Sequence, residues 1–205
     1  MGFVEYRPSE LATKDPYYLL TSLVVPRPIA WVSTVSGDGV PNLAPHSYFN
    51  VISSDPPIVH FTSTGVKDTL TNCRATGEFV VNFVGRDLVE EMNVTAANFP
   101  PTESEWEWAG LASERSSLVA PHRVARAKAA FECKVSDIVS KGNGNMVFGD
   151  VLVMYVDESV LRDGRVDPRL LHPVGRMGGA TYTDAAAELF DLKRPSYQDI
   201  LDSRQ

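Results

Sequence analysis

Strand-forming runs recur along this chain between Gly and Pro turns, with no helix-length segment regularly inserted between them, and that rhythm decides the fold class first. Ile29 to Val35 is β-branched and apolar, Gly37-Asp38-Gly39 is a turn signal, and an extended stretch resumes at Val40, so the three read as a hairpin. Ile58 to Thr62 follows Pro56-Pro57 as another strand, and Glu78 to Phe83 is saturated with strand formers. Two long strands, Val124 to Val139 and Met146 to Val156, are joined around Gly142-Asn143-Gly144, and Arg162-Asp163-Gly164-Arg165 makes a further tight turn. Two helices are predicted: Thr69 to Thr76, ended by Gly77, and Asp87 to Asn98, with Asp87 as its N-cap. Many strands, few helices and no β-α alternation favour a mainly β, closed architecture with peripheral helices over a doubly wound sheet.

Composition limits what such a fold can carry. A chain of 205 residues with 43% hydrophobic content can bury one substantial core, so we expect a single domain over 1–205. A net charge of -7 argues against general nucleic-acid binding, which requires a basic face, and any anionic ligand must then be met by local positive charge. No apolar run approaches the roughly 18 residues of a membrane span, so a soluble, cytoplasmic protein is expected. Cys73 and Cys133 are far apart and in no metal-like spacing, which reads as two reduced, packed thiols and no metal site. The Gly-x-Gly-x-x-Gly and Walker A patterns are absent; Gly142-Asn143-Gly144 lies between two strands, the wrong context for a dinucleotide fingerprint.

The most specific local chemistry is Lys67-Asp68-Thr69 at a helix start. Asp68 or Thr69 can cap the helix, whereas a lysine beside the positive end of the dipole is disfavoured unless an anion sits there. Free N–H groups, a hydroxyl and an ammonium would then converge on one phosphate, although a solvated lysine beside an ordinary cap is an equal reading of these three residues alone. Arg27, held stiffly between Pro26 and Pro28, suits a phosphate or a ring carbonyl, or else an ion pair with an acidic neighbour. In an extended Ser47-Tyr48-Phe49-Asn50, Ser47 and Phe49 would share one face and Tyr48 and Asn50 the other, with main-chain groups free to meet the edge of a flat heterocycle. The irregular stretch from Asn98 to Pro121, with Trp106 and Trp108, reads either as a packed surface loop or as a lid over a ligand or a partner subunit.

Taken in order, Arg27-Pro28-Ile29-Ala30-Trp31-Val32-Ser33-Thr34, Asn42 to Asn50, Asp55-Pro56-Pro57, Lys67-Asp68-Thr69 with Asn72, Glu78 to Asn82, Phe131-Glu132-Cys133 and Gly175 to Tyr182 resemble the flavin reductase-like, FMN-binding split-barrel family. The family includes NAD(P)H:flavin oxidoreductases and flavoredoxin-type electron carriers. The resemblance runs from about Tyr18 to Tyr182 and implies a Greek-key split β-barrel that forms a homodimer with FMN near the subunit interface. By matching position it assigns Lys67 and Thr69 to the FMN phosphate with help from Arg27, Ala44, Pro45, Ser47, Phe49 and Asn50 to the isoalloxazine, and Thr62 and Ser63 to the ribityl chain. His172 and Arg176 are candidates for the substrate side, His172 being favoured for a structural or solvent-facing role. The pattern departs at His46, where the family commonly carries an aromatic residue. Cys133 matches a strand cysteine and reads as packing. The flavin carries the chemistry, so no catalytic side chain is assigned. The function implied is NAD(P)H-dependent flavin reduction, with a small-molecule substrate and a partner oxygenase or redox protein; a flavoredoxin-type electron carrier and a non-catalytic FMN-binding assembly module are the alternatives.

Overall fold

The computed structural model describes residues 2–100 and 102–202. After helix α1 (Asp15–Leu23), the chain runs β1 (Arg27–Pro28), β2 (Ala30–Val35), β3 (Pro41–His46), β4 (Phe49–Ser54), β5 (Pro57–Thr64), α2 (Asp68–Thr76), β6 (Glu78–Phe83), α3 (Val89–Val94) and α4 (Glu105–Trp108). It continues through β7 (Ser113–Glu114), β8 (Arg123–Val124), β9 (Ala129–Lys141), β10 (Gly144–Val156), β11 (Leu161–Arg162), β12 (Arg165–Val166), α5 (Pro168–Leu171), β13 (Val174–Arg176), β14 (Tyr182–Asp184) and α6 (Tyr197–Asp202).

Seven strands form one sheet in the order β3-β2-β6-β9-β10-β5-β4, every neighbouring pair antiparallel. Its two edge strands, β3 and β4, are consecutive in sequence and joined by Ser47 and Tyr48 alone. A sheet whose outermost strands are tethered by two residues must curl until its edges meet. No ladder joins β3 to β4, so the ring stays split there, and the Tyr48 carbonyl instead accepts from the Thr62 N–H at 2.8 Å. This is the mainly β, Greek-key split barrel with peripheral helices that the sequence led us to expect.

The two-residue period of β2 divides its side chains between two cores. Ala30 and Val32 point into the barrel with Phe61, Leu70, Phe79, Val81 and Val147, while Trp31 points outward into a second cluster with Leu43, Leu88, Met92 and Trp106. Helix α2 plugs the barrel with Leu70 and Cys73, and α3 and α4 cover the outer cluster. Gly149 lies where β10 shifts register, and a Cβ there would come within 2.3 Å of the Phe79 ring, so this close approach admits glycine alone. Cys73 and Cys133 are free thiols of the barrel core; burial pushes Cys73 up to about 12 and Cys133 upward as well, so both stay protonated and inert.

Several local expectations change. Gly77 ends α2 in the left-handed conformation as expected, but neither Asp68 nor Thr69 caps that helix; the N-cap is Lys67, which makes no side-chain capping bond. Asp87 does not cap a helix either: it lies inside a 3-10 turn, Arg86–Leu88, and α3 stops at Val94 rather than Asn98. The stop has a cause in Thr95, whose hydroxyl donates to the Met92 carbonyl at 2.8 Å and accepts from the Trp31 indole N–H at 2.8 Å, pinning the chain as it leaves the helix. Trp106 is buried in the outer cluster, whereas Trp108 is exposed and stacks on Phe99.

Candidate active site: a cleft at the split of the barrel

The split, the first turn of α2 and the segment after α3 together enclose a cleft of about 450 Å³. Its floor is Ala44, Pro45 and His46 from β3 and the Ser47-Tyr48 corner; one wall is Thr62, Ser63 and Thr64 from β5 with Lys67, Asp68 and Thr69. The facing wall is Met92 and Thr95 to Phe99 with Glu105, and the mouth carries Tyr17 and Thr21 of α1 with Arg176, Gly179 and Tyr182.

Buried polar groups hold these walls in place. Glu105 Oε2 accepts from the Leu43 N–H of edge strand β3 at 3.0 Å, fastening α4 across the cleft. Burial pushes the Glu105 carboxyl up, and the N–H groups it accepts from act in the opposite sense. With its amide oriented to satisfy both neighbours, Asn42 donates to Glu105 Oε1 at 3.3 Å and accepts from Thr69 Oγ1 at 3.2 Å. The Thr69 hydroxyl is thus committed to β3, and its backbone N–H is what the first turn of α2 can offer a ligand.

Arg27 corrects the sequence reading. Its side chain lies along the cleft, but Nη1 donates to the Val24 carbonyl at 2.9 Å and also to that of Thr21, Nη2 donates to the Met177 carbonyl at 2.9 Å, and Nε reaches Ser47 Oγ at 3.4 Å. The fork therefore clamps the end of α1 and the strand-like 174–177 segment onto the Ser47 corner, rather than pointing at a phosphate. Phe49 is likewise a barrel-core residue, edge-on to Phe83 at 6.3 Å, and Asn50 faces outward from the edge strand with Oδ1 accepting from Val51 N at 2.8 Å. Neither lines the cleft, because the strand resumes at Phe49 and its pleat turns that ring inward. His172 is also elsewhere, in a left-handed turn with Nδ1 3.0 Å from Asp184 Oδ2.

The structure does bring together Arg27, Ala44, Pro45, Ser47, Thr62, Ser63, Lys67, Thr69 and Arg176 around one cleft. Arg176 lies over the Tyr182 ring, 4.4 Å from its centroid, and donates to the Gly179 carbonyl at 2.6 Å. Asn98, Phe99 and Glu105 come from the 98–121 stretch that reads as a surface loop or a lid, with no role given to them singly; the sequence reading missed Thr95 to Ala97 and the α1 face, which reach the cleft through tertiary contacts with no local signature. His46 was singled out only as a departure from a pattern. It is buried with its ring on Phe61, centroids 4.7 Å apart, and burial together with the Lys67 ammonium holds it down to about 4, hence neutral at pH 7, although a backbone hydrogen bond with Thr62 pulls the other way.

The Lys67 ammonium makes no hydrogen bond or ion pair among the described residues, and the residue stands at the N-terminus of the nine-residue α2, which has no side-chain cap. Unsatisfied N–H groups, the positive end of a helix dipole and an unpaired ammonium form a donor set suited to a phosphate monoester. Residues 22–179 match the model of the flavin reductase like domain. The chain belongs to the flavin reductase-like family. It is 40% identical over 178 residues to an uncharacterised protein of Aquifex aeolicus, covering 84% of this chain and 91% of the relative. Among solved structures it is similar to nitrilotriacetate monooxygenase component B from Bacillus cereus, with a TM-score of 0.90, 34% identity and coverage of 94% and 100% of the two chains. It is also similar to the 2-nitrobenzoate 2-nitroreductase NbaA of Pseudomonas fluorescens, with a TM-score of 0.87, 33% identity and coverage of 95% and 98%. A flavin is accordingly the cofactor class for a flavin reductase-like protein, and the donor set at α2 fits the phosphate of one. Among the described residues no helix is long and apolar enough to cross a membrane.

Proposed function

We propose that this protein is an FMN-binding oxidoreductase that uses NAD(P)H to reduce its flavin, acting as a homodimer and passing reducing equivalents to a partner oxygenase or redox protein. The observation that carries this reading is the uncapped start of α2 with the unpaired Lys67 in one cleft with the β3 floor, since that combination suits a terminal dianion attached to a flat, uncharged body. Lys67 and the first-turn N–H groups of α2 hold the phosphate, Thr62 and Ser63 lie beside the sugar-alcohol chain, and Ala44 to Ser47 present backbone to one edge of the ring system. When bound, the flavin supplies the redox chemistry by accepting a hydride from a nicotinamide donor. The protein's own share is positional: Glu105 and Thr95 keep the far wall against the floor, and Arg176, stacked on Tyr182, offers a cation at the mouth where an anionic donor enters.

The likeness to a protein named component B of a monooxygenase supports an oxygenase partner, and Leu152, Met154 and Val156, exposed at alternate positions of β10, supply an outward apolar stripe that supports self-association. The likeness to a protein named a nitroreductase supports a second reading, in which the acceptor is a small aromatic molecule reduced in the same cleft. Anaerobic stopped-flow mixing of FMN-loaded protein with NADH and with NADPH tests the main reading. Loss of the flavin absorbance with one donor within the mixing experiment is expected. Bound FMN that neither donor bleaches would leave an electron carrier in place of a reductase.

A further inference from the structure

We propose that His46 is a ligand-binding residue of this cleft, whose Nε2 exchanges a hydrogen bond with the hydroxyl and phosphate tail of the flavin nucleotide beside Lys67. The inference rests on reading the cleft as an FMN site and goes beyond it by assigning a task to a floor residue whose buried ring nitrogen the fold leaves without a partner among the described residues.

His46 ends β3 at the point where the barrel splits, 8% exposed, with one face of its ring against Phe61. Its Nε2 is buried and has no hydrogen-bond partner among the described residues, and the residue lines the cleft. An imidazole nitrogen withdrawn from water and left unpaired carries a desolvation cost, which a phenyl ring stacked on Phe61 would avoid. The backbone hydrogen bond with Thr62 occupies the ring on its inner side, and Nε2 is left for a partner that arrives from the cleft. Three features restrict that partner. The ring is neutral at pH 7, so it offers one N–H and one lone pair rather than a cation. Lys67 lines the same cleft with its ammonium unpaired among the described residues, so the ligand that reaches His46 also meets a cation. The carboxylates that line this cleft, Asp68 and Glu105, lie at the first turn of α2 and on α4, and no hydrogen bond or ion pair joins either to His46. A ribityl hydroxyl meets Nε2 in either tautomer, and a phosphate oxygen, which only accepts, meets it when Nε2 carries the proton.

The test compares the unmodified protein with His46→Phe, which keeps the ring on Phe61, and His46→Gln, whose amide reaches where Nε2 stood. Dissociation constants for FMN and for riboflavin are measured by titration calorimetry at pH 7, and thermal midpoints are measured without flavin. His46→Phe should weaken FMN binding about tenfold, with the flavin-free midpoint reporting separately the loss of the Thr62 hydrogen bond, and His46→Gln should restore most of the affinity. An equal loss for riboflavin assigns the contact to a ribityl hydroxyl; a loss confined to FMN assigns it to the phosphate. An unchanged FMN affinity in His46→Phe overturns the proposal, as does a lowered flavin-free midpoint with no rescue by His46→Gln. Failure of the unmodified protein to bind FMN overturns the parent reading and this proposal with it, so the two failures are told apart by the unmodified protein alone.

Discussion

At Lys67 an ammonium stands in the place a helix start ordinarily gives to Ser, Thr or Asp, and nothing among the described residues neutralises it. The arrangement is relieved by an anion, so Lys67→Ala should weaken FMN binding by about 1.5–3 kcal/mol, the range of a hydrogen bond to a charged group. The same substitution should leave riboflavin affinity within a factor of about two, because no phosphate is lost; fluorescence titration of both flavins checks it. His46 makes a separate statement about pH. Its folded imidazole titrates at about 4 against an ordinary value of 6.5, so between those values the unfolded chain binds the proton first. The stabilisation is fully present above pH 6.5 and is lost as pH falls toward 4, by on the order of 3 kcal/mol in all. His60, pushed down by its own burial, adds in the same direction. Urea denaturation at pH 7, 5.5 and 4.5 should show the slope, and His46→Phe should flatten it.

Elements differ in how far the sequence betrays them. Strand β6 and the Gly77 stop of α2 were legible because each rests on neighbours in sequence: a run of β-branched and aromatic residues, and a left-handed position with φ 71° that glycine takes without strain. The two long strands and the 162–165 turn were legible for the same reason, the turn closing on Asp163 and Gly164 with positive φ at both, although the first long strand runs Ala129–Lys141 and Val124 belongs to the separate β8. Helix α4 was not. It is four residues long, set in place by a carboxylate bonding an N–H 62 positions away, and no periodicity announces such a contact. Arg27 was misread for a related reason: a guanidinium between two prolines looks free in sequence, and only the folded chain brings the Thr21, Val24 and Met177 carbonyls to it. The Glu105 anchor is testable by comparison. Glu105→Ala leaves the Leu43 N–H only the Asn42 amide oxygen and strands the Asn42 amide donor, and should cost about 1–3 kcal/mol, whereas Glu105→Gln retains an acceptor and should cost less; chemical denaturation of both variants distinguishes them.

For the whole molecule, the apolar stripe on β10 is a statement about assembly. Isolated exposed apolar residues are ordinary, but three at alternate positions of one strand make a continuous ridge. On the proposed homodimer, replacing Leu152 and Met154 by Glu should shift the protein from dimer to monomer in light-scattering chromatography, with the unfolding midpoint of the monomer measured alongside to show that the barrel survives. A dimer unaffected by both charges would move the interface to another face.

The Ser47-Tyr48 corner carries a constraint on diversification. The same two residues fasten the ends of a seven-stranded ring and form part of its binding floor, so a longer or differently shaped corner would loosen the scaffold before it altered selectivity. Variation in what such a protein accepts therefore has room in the Ala96 to Phe99 wall, in the stretch around α4 and in the segment near Arg176, none of which belongs to the main sheet. A laboratory seeking new acceptors for this scaffold should randomise those rims and leave the hinge of the ring untouched.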